Sequence, residues 1–282
     1  TFCDDFITCG GRGNCNADGK CLMSRVTTAV VPGVLQHEFE ALYSPTISGN
    51  YKLFILSGNC RFDPTALVPC PGGALLANSP LFVEVMPAAT LATTSRAYGA
   101  GISIATSGVL AAFTIRARDR YGNAKTSGGD TFRVILAGTK AIKPEVTDLQ
   151  NGHYAVNYTA QLAGLYPTYI RLGDAVVGGV GGNDAFTPYQ AVVEAGNTSA
   201  AACTATGLVS RAPAGLQYSF QIQARDKFGS ARKAGGESFR VVLRQEGRAD
   251  EVSVLDLNNG RYAVDFVPVQ TGAFSLDMMA LK

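Results

Sequence analysis

Apolar and polar side chains alternate along short stretches of this chain, and one such stretch occurs twice. Apolar residues occupy nearly every second position in residues 111–117 and again in residues 218–224. Because successive side chains of a β-strand point to opposite faces, this pattern predicts strands with one face in a core and one in water. Asp119 and Asp226 follow in Asp-x-x-Gly segments, where a short polar side chain and a glycine favour a turn. We therefore expect short antiparallel strands joined by turns.

Other segments recur in the same order at an offset of 107 or 108 residues. The matching segments are 113–122 with 220–229, 128–134 with 235–241, and 148–156 with 256–264. A third, partial copy is present, since residues 39–43 and 49–51 follow the plan of 154–158 and 164–166, and residues 79–85 match 187–193. This copy carries about seven extra residues between Gly49 and Ser79. A period of this length predicts homologous domains, each the size of one β-sandwich.

The ordered motifs F-x-I-x-A-x-D-x-x-G, G-G-[DE]-x-F-x-V, D-x-x-x-G-x-Y-x-V, G-x-[YF] and [ST]-P resemble filamin-type repeats from about residue 24 to the end. The resemblance implies all-β, tandem antiparallel Ig-like sandwiches of seven strands, A to G. On that plan residues 24–86 form strands D to G of repeat one and residues 87–193 form a complete repeat two. Residues 194–282 form repeat three, which is expected to lack its last strand.

The first segment of the chain contains four cysteines, each separated from the next by five residues: Cys3, Cys9, Cys15 and Cys21. A stretch this short cannot bury enough apolar surface to fold alone, so disulfides or a metal must stabilise it. Evenly spaced single cysteines lack the Cys-x-x-Cys pairs of structural zinc sites, which favours disulfides. Disulfides in turn indicate an oxidising, extracellular compartment or the cell surface.

Residues 1–23 resemble an EGF-like module, with these four cysteines in the places of its first four. The resemblance implies crossed pairs, Cys3 with Cys15 and Cys9 with Cys21. Met23 stands where the fifth cysteine belongs, and no sixth follows. We therefore expect a truncated, disulfide-stapled EGF-like module inserted into repeat one.

Three further cysteines lie outside that module. Cys60 and Cys70 fall in the extra segment of repeat one and are expected to pair locally, a closure that contributes about 2–3 kcal/mol on the chain-entropy model. Cys203 is then the odd cysteine. It is either a buried free thiol or the partner of a cysteine in another chain or in a missing segment.

Two sequons, Asn157-Tyr-Thr159 and Asn197-Thr-Ser199, are possible N-glycosylation sites. Asn157 points outward if Val156 and Tyr158 point into the core, so its geometry permits a glycan.

The filamin-type resemblance also implies a partner-binding edge, where an extended peptide adds as a strand in the groove between strands C and D. These strands correspond to residues 131–136 with 141–147 in repeat two, and 238–243 with 249–255 in repeat three. The alternative is an edge that the chain merely covers or blunts. The candidate edge residues are Val134, Ile142, Val241 and Val252.

Composition favours a folded protein without catalytic equipment. The chain is 46% hydrophobic and 16% charged, and its net charge of +2 gives no reason to expect nucleic acid or an anionic membrane as partner. No apolar run approaches the roughly 18 residues of a membrane span. The only histidines are His37 and His153, and no Ser-His-Asp set, Cys-His set or His-x-x-x-His pair is apparent. We expect neither enzyme activity nor a cofactor.

Two functions fit these observations. One is a structural segment of an extracellular rod or filament, which packs against neighbouring repeats or copies of the same chain. The other is an adhesion or recognition receptor that binds a protein partner at the C–D groove. A cytosolic actin cross-linker follows from the family name, but the cysteine framework argues against it.

Overall fold

The computed structural model describes residues 28–32, 39–53, 55–57, 74–178, 188–245 and 247–281. Within these ranges the chain forms 22 strands and two short 3-10 helices, so the prediction of an all-β protein is confirmed. The predicted EGF-like module and six of the predicted disulfide cysteines lie outside the described residues, and their pairings stay predictions. These cysteines are Cys3, Cys9, Cys15, Cys21, Cys60 and Cys70.

Repeat one contributes three antiparallel strand pairs. Its strands are β1 (Thr28–Pro32), β2 (Phe39–Tyr43), β3 (Gly49–Leu53), β4 (Leu56–Ser57), β5 (Ala74–Leu75) and β6 (Leu81–Val85). β1 pairs with β2, β3 with β6, and β4 with β5. The β4–β5 pair lies in the extra segment that distinguishes this copy.

Repeat two forms two packed sheets. Its strands are β7 (Arg96–Tyr98), β8 (Ile104–Thr106), β9 (Leu110–Arg116), β10 (Phe132–Leu136), β11 (Val146–Asp148), β12 (His153–Thr159), β13 (Gly164–Leu172), β14 (Ala175–Val176) and β15 (Tyr189–Glu194), with a 3-10 helix at Ala100–Ile102. One sheet has the order β11-β12-β9-β7; the other has the order β10-β13-β15-β8, with β14 on β13. Every pair is antiparallel except β15 with β8, which is parallel.

The core of repeat two confirms the alternation seen in the sequence. On β9 the side chains of Phe113 and Ile115 are buried, and on β12 those of Tyr154, Val156 and Tyr158 are buried. Phe113 packs edge-on against Tyr158 with ring centroids 6.4 Å apart. These side chains share one buried cluster with Val134 of β10 and Ile170 of β13 in the other sheet, so the two sheets meet through the inward positions of their strands.

Repeat three has its own core. Its strands are β16 (Thr204–Thr206), β17 (Tyr218–Gln223), β18 (Ser238–Gln245), β19 (Arg248–Val252), β20 (Val254–Asp256), β21 (Arg261–Phe266) and β22 (Ser275–Leu281), with a 3-10 helix at Ala200–Ala202. The sheets have the orders β16-β17-β21-β20 and β19-β18-β22. Phe220 and Ile222 of β17 pack with Tyr262 and Val264 of β21 in a cluster separate from that of repeat two.

The residues that define the repeat motifs bond to one another inside each sandwich. The Asp148 carboxylate accepts a bond from the backbone N–H of Gly129 at 2.8 Å, and the N–H of Asp130 donates to the Tyr154 hydroxyl at 3.0 Å. The equivalent pairs in repeat three are Asp256 with Gly236 at 2.7 Å and Glu237 with Tyr262 at 2.9 Å. These motif residues therefore stabilise each sandwich from within.

Candidate partner-binding edge

Strand β10 lies at the edge of its sheet in repeat two. Its inner side pairs with β13 along its whole length. On its outer side, Leu136 and Ile142 exchange two backbone hydrogen bonds of 2.9 Å. Among the described residues, no strand pairs with the outer side of β10 from Phe132 to Ile135.

The backbone groups of Phe132 and Val134 face this open side. In an extended strand the N–H and C=O of one residue point to one side and those of the next residue to the other. The backbone N–H and C=O of Leu136 point to the outer side of β10, where they bond to Ile142, whereas the N–H of Ala137 points to the inner side and bonds to the carbonyl of Pro167 at 2.8 Å. The backbone groups of Phe132 and Val134 point to the same outer side as those of Leu136. The edge thus presents two N–H donors and two C=O acceptors to an added strand.

The side chains along β10 divide between core and surface. Phe132, Val134 and Leu136 are buried, with Val134 only 4% exposed. The side chains of Arg133 and Ile135 point away from the core into solvent, and Ile135 is 38% exposed. Val134, predicted as an edge residue, therefore offers a partner its backbone and not its side chain.

Positive charge lies at the end of this edge. A groove beside Ile142 is lined by Lys140, Lys143 and Tyr166, among others, and both lysines are exposed. Arg133 adds a third exposed cation on β10 itself. An added strand that carries carboxylates would find complementary charges here.

The equivalent edge in repeat three is occupied by the chain itself, which is the covered edge that the sequence left open as the alternative. β19 pairs with β18 over five residues, and the predicted edge residues Val241 and Val252 are partners in that pairing. Arg240 of β18, the counterpart of Arg133, forms an ion pair with Glu251 of β19 at 3.2 Å. From Val241 to Gln245 the chain covers this edge with its own strand.

Pro144 explains why repeat two lacks such a strand. In the register set by Leu136 and Ile142, the residue opposite Val134 is Pro144, which would have to donate its N–H to the Val134 carbonyl. Proline has no N–H, so the pairing ends after Ile142.

The remaining candidate residues lie away from this edge. Asn157 is exposed between buried Val156 and Tyr158, as the sequence predicted, and Asn197 is exposed at the start of repeat three. Cys203 is half-buried; its thiol donates to the carbonyl of Ser199 at 3.3 Å and packs against the core of repeat three. Glycosylation and pairing of Cys203 with another chain stay predictions.

The part of the chain that the structure describes shows no helix long and apolar enough to cross a membrane. In the same part, no group of three or more His, Cys, Asp or Glu side chains is placed to hold a metal ion.

Comparison with known proteins gives one family match. The model of the filamin/ABP280 repeat matches residues 89–180 and 197–280, which together make up more than half of the chain. The flagellar outer arm dynein alpha chain of Chlamydomonas reinhardtii is 40% identical over 89 residues, which are 30% of this chain and 2% of that protein. The E3 ubiquitin-protein ligase TRIM71 of Rattus norvegicus is 32% identical over 106 residues, 37% of this chain and 12% of the ligase.

The chain therefore spans only a small part of these relatives. Among solved structures, the Escherichia coli adhesin FdeC superposes with a TM-score of 0.48 at 17% identity, covering 73% of this chain and 66% of the adhesin.

Proposed function

The chain belongs to the filamin repeat family, and from that premise we propose that it is a non-enzymatic structural and interaction segment of an extracellular or cell-surface rod or filament. The observation that carries this proposal is that the repeats contact one another end to end. Its extracellular placement rests on the cysteine spacing alone.

The two ends of repeat two contact different neighbours. Thr159 of β12 pairs with Leu110 of β9, and His153 pairs with Arg116, so the segment after β9 and the turn after β12 lie at opposite ends of the sandwich. Asn123, after β9, bonds to repeat one, and Ala163, after β12, bonds to repeat three. Contacts of this head-to-tail kind extend an array along one direction.

Two measurements test this function. Small-angle scattering of the whole chain should give an elongated particle, and a membrane-impermeant label should modify the protein on intact cells. A compact particle would contradict the rod, and labelling only after the cells are opened would contradict the surface placement.

A second function, binding of a protein partner by strand addition, is favoured by the open edge of β10. Backbone bonds to Phe132 and Val134 would supply affinity, and side chains at alternate positions would supply specificity. The covered edge of repeat three indicates the chemistry of the partner: an extended segment with a carboxylate placed to pair with Arg133, as Glu251 pairs with Arg240.

A peptide copied from residues 247–254 is the natural probe, because it contains Arg248–Val252, the strand that covers the equivalent edge in repeat three. On titration into the whole chain, we expect the backbone amide signals of Phe132 and Val134 to shift, with those of Val241 and Leu243 unchanged. A peptide with proline in place of Asp250, whose backbone faces the edge in this pairing, is the control. Equal shifts with both peptides, or shifts confined to other residues, would contradict strand addition at β10.

A further inference from the structure

Buried polar residues concentrate where the repeats meet. Of the seven buried polar or charged residues in the described part of the chain, five lie at the two junctions: Ser48, Ser107, Asp119, Asn123 and Asp226. Burying a polar group is costly unless it is hydrogen-bonded, so each of these positions needs a specific partner.

At the first junction, Asn123 of repeat two bonds to the turn between β2 and β3 of repeat one. Its side-chain oxygen accepts from the N–H of Ser48 at 3.1 Å, and its side-chain nitrogen donates to the carbonyl of Thr46 at 2.8 Å. The same nitrogen donates to the Asp119 carboxylate at 2.8 Å. Asn123 therefore links the preceding repeat to the Asp-x-x-Gly turn.

The second junction repeats this contact at equivalent positions. Ser230 stands where repeat two has Asn123, and its hydroxyl accepts from the N–H of Ala163 in the turn between β12 and β13 at 2.9 Å. Ala163 in turn stands where repeat one has Ser48. A different side chain thus makes the same bond, which indicates that the contact belongs to the repeat plan.

The linker residue is held in the same way at both junctions. The N–H groups of Ala88 and Gly196 donate to the carboxylates of Asp119 and Asp226 at 2.9 and 3.0 Å. The carbonyls of Ala88 and Gly196 accept from basic side chains at equivalent positions, from Lys125 at 3.1 Å and from Arg232 at 2.8 Å. Both the N–H and the C=O of each linker residue, Ala88 and Gly196, are therefore held by hydrogen bonds.

The charge on the two aspartates suits this role. Burial raises the pKa of Asp226, but bonds from Ser107 and from the backbone N–H groups of Gly196, Ser230 and Phe228 outweigh it and hold that pKa below its ordinary value. The Ser107 hydroxyl has one proton, so it donates either to the Asp226 carboxylate or to the carbonyl oxygen of Gln161, which lies 2.7 Å from its Oγ.

An apolar contact completes the second junction. Gly108 of repeat two has φ +73°, and a Cβ there would overlap the ring of Phe228. Gly215 is the equivalent residue of repeat three, with φ +84°, and a Cβ there would meet no atom within 4 Å. Both glycines donate their N–H to an equivalent carbonyl, Gly108 to Ala160 and Gly215 to Pro268. The two glycines therefore have the same backbone conformation, and they differ in that a side chain of the neighbouring repeat packs against Gly108.

We infer that the Asp-x-x-Gly turn and the residue after it form a docking element that fixes each repeat against one turn of the preceding repeat, the β2–β3 turn of repeat one or the β12–β13 turn of repeat two. The residues that dock are Asn123 and Ser230, positioned by Asp119 and Asp226. This inference rests on the proposed function of a rod, to which it adds a fixed angle between successive repeats.

The first test removes one docking hydroxyl from the whole chain. Ser230→Ala should speed exchange of the Ala163 amide by roughly 2- to 10-fold, the range expected for one lost hydrogen bond. Ser219→Ala, the same change at an exposed position of β17, should leave that amide unchanged. An Ala163 amide that exchanges at the free-peptide rate in the unchanged protein would overturn the inference.

The second test compares Gly108→Ala with Gly215→Ala. Both place a Cβ at a similar positive φ, so their backbone strain is matched, and only Gly108→Ala displaces Phe228. By 15N relaxation, repeats two and three should tumble as one body in the unchanged protein and in Gly215→Ala, and should decouple in Gly108→Ala. Independent tumbling in the unchanged protein, or the same effect from both variants, would refute the docking element. Neither outcome bears on surface labelling or on peptide binding at β10.

Discussion

Replacing Phe220 by alanine should remove a large part of the stability of repeat three. The side chain is 2% exposed and its ring lies edge-on to Phe266, with centroids 6.1 Å apart. Truncation of a buried phenylalanine costs about 3–5 kcal/mol, through lost burial and the cavity that remains. A domain of this size is stable by about 5–15 kcal/mol, so the variant should be marginal yet folded.

The neighbouring residue provides the control. Gln221 follows on the same strand, points to solvent, and should cost less than about 0.5 kcal/mol when changed to alanine. Because repeats two and three have separate cores, one melting curve would mix two transitions. Hydrogen exchange assigned to each repeat avoids this difficulty.

In Phe220→Ala, slowly exchanging amides of repeat three should exchange about a hundred- to several-thousand-fold faster, since each 1.4 kcal/mol is a factor of ten. Amides in the core of repeat two, such as that of Ile115, should keep their rates. Comparable losses in Phe220→Ala and Gln221→Ala would refute the assignment of strand faces. Equal losses in both repeats would refute the separation of the two cores.

Three other predictions concern side-chain chemistry. Tyr154→Phe should cost about 1 kcal/mol in hydrogen exchange assigned to repeat two, because the N–H of Asp130 loses its acceptor. Burial raises the pKa of Tyr154 to about 12, so this loss should not vary between pH 5 and 9. Non-reducing peptide mapping of native material should find Cys60 linked to Cys70, and recovery of both as free thiols would count against an oxidising compartment. Burial raises the pKa values of Asp119 and Asp226, but their hydrogen bonds outweigh it and lower them, so the stabilisation by these groups is full above about pH 4 and is lost as the pH falls through the lowered folded-state values. In relaxation measured at successive pH values from 6 downwards, the repeats should therefore stay coupled down to about pH 4 and decouple only below it.

The sequence allowed the fold to be predicted because its signals are local. Alternation around Phe113 and Phe220 identified the core faces, and the glycines of the Asp-x-x-Gly turns have φ values of +83° and +85° at Gly122 and Gly229, as such turns require. The parallel pairing of β8 with β15 was not predicted, because it joins segments almost 90 residues apart and alternation does not specify a partner.

The candidate edge was only partly predictable. Repeats two and three have such similar motifs that the sequence offered the same candidate edge in each and did not indicate which of the two is covered. The informative residue was Pro144, whose effect depends on its facing Val134, a register that only the structure provides. The docking role of Asn123 and Ser230 left no signal in the sequence, since asparagine and serine are common in turns.

Repeat two presents an open strand edge and repeat three does not, and amide exchange at Val134 and Val241 in the unbound whole chain distinguishes the two edges. Both residues are buried and occupy equivalent positions in β10 and β18. Exchange should be fast at Val134, whose N–H faces the open side, and slow at Val241, whose strand is paired with β19. Equal protection of the two amides would contradict an edge that is open in repeat two alone.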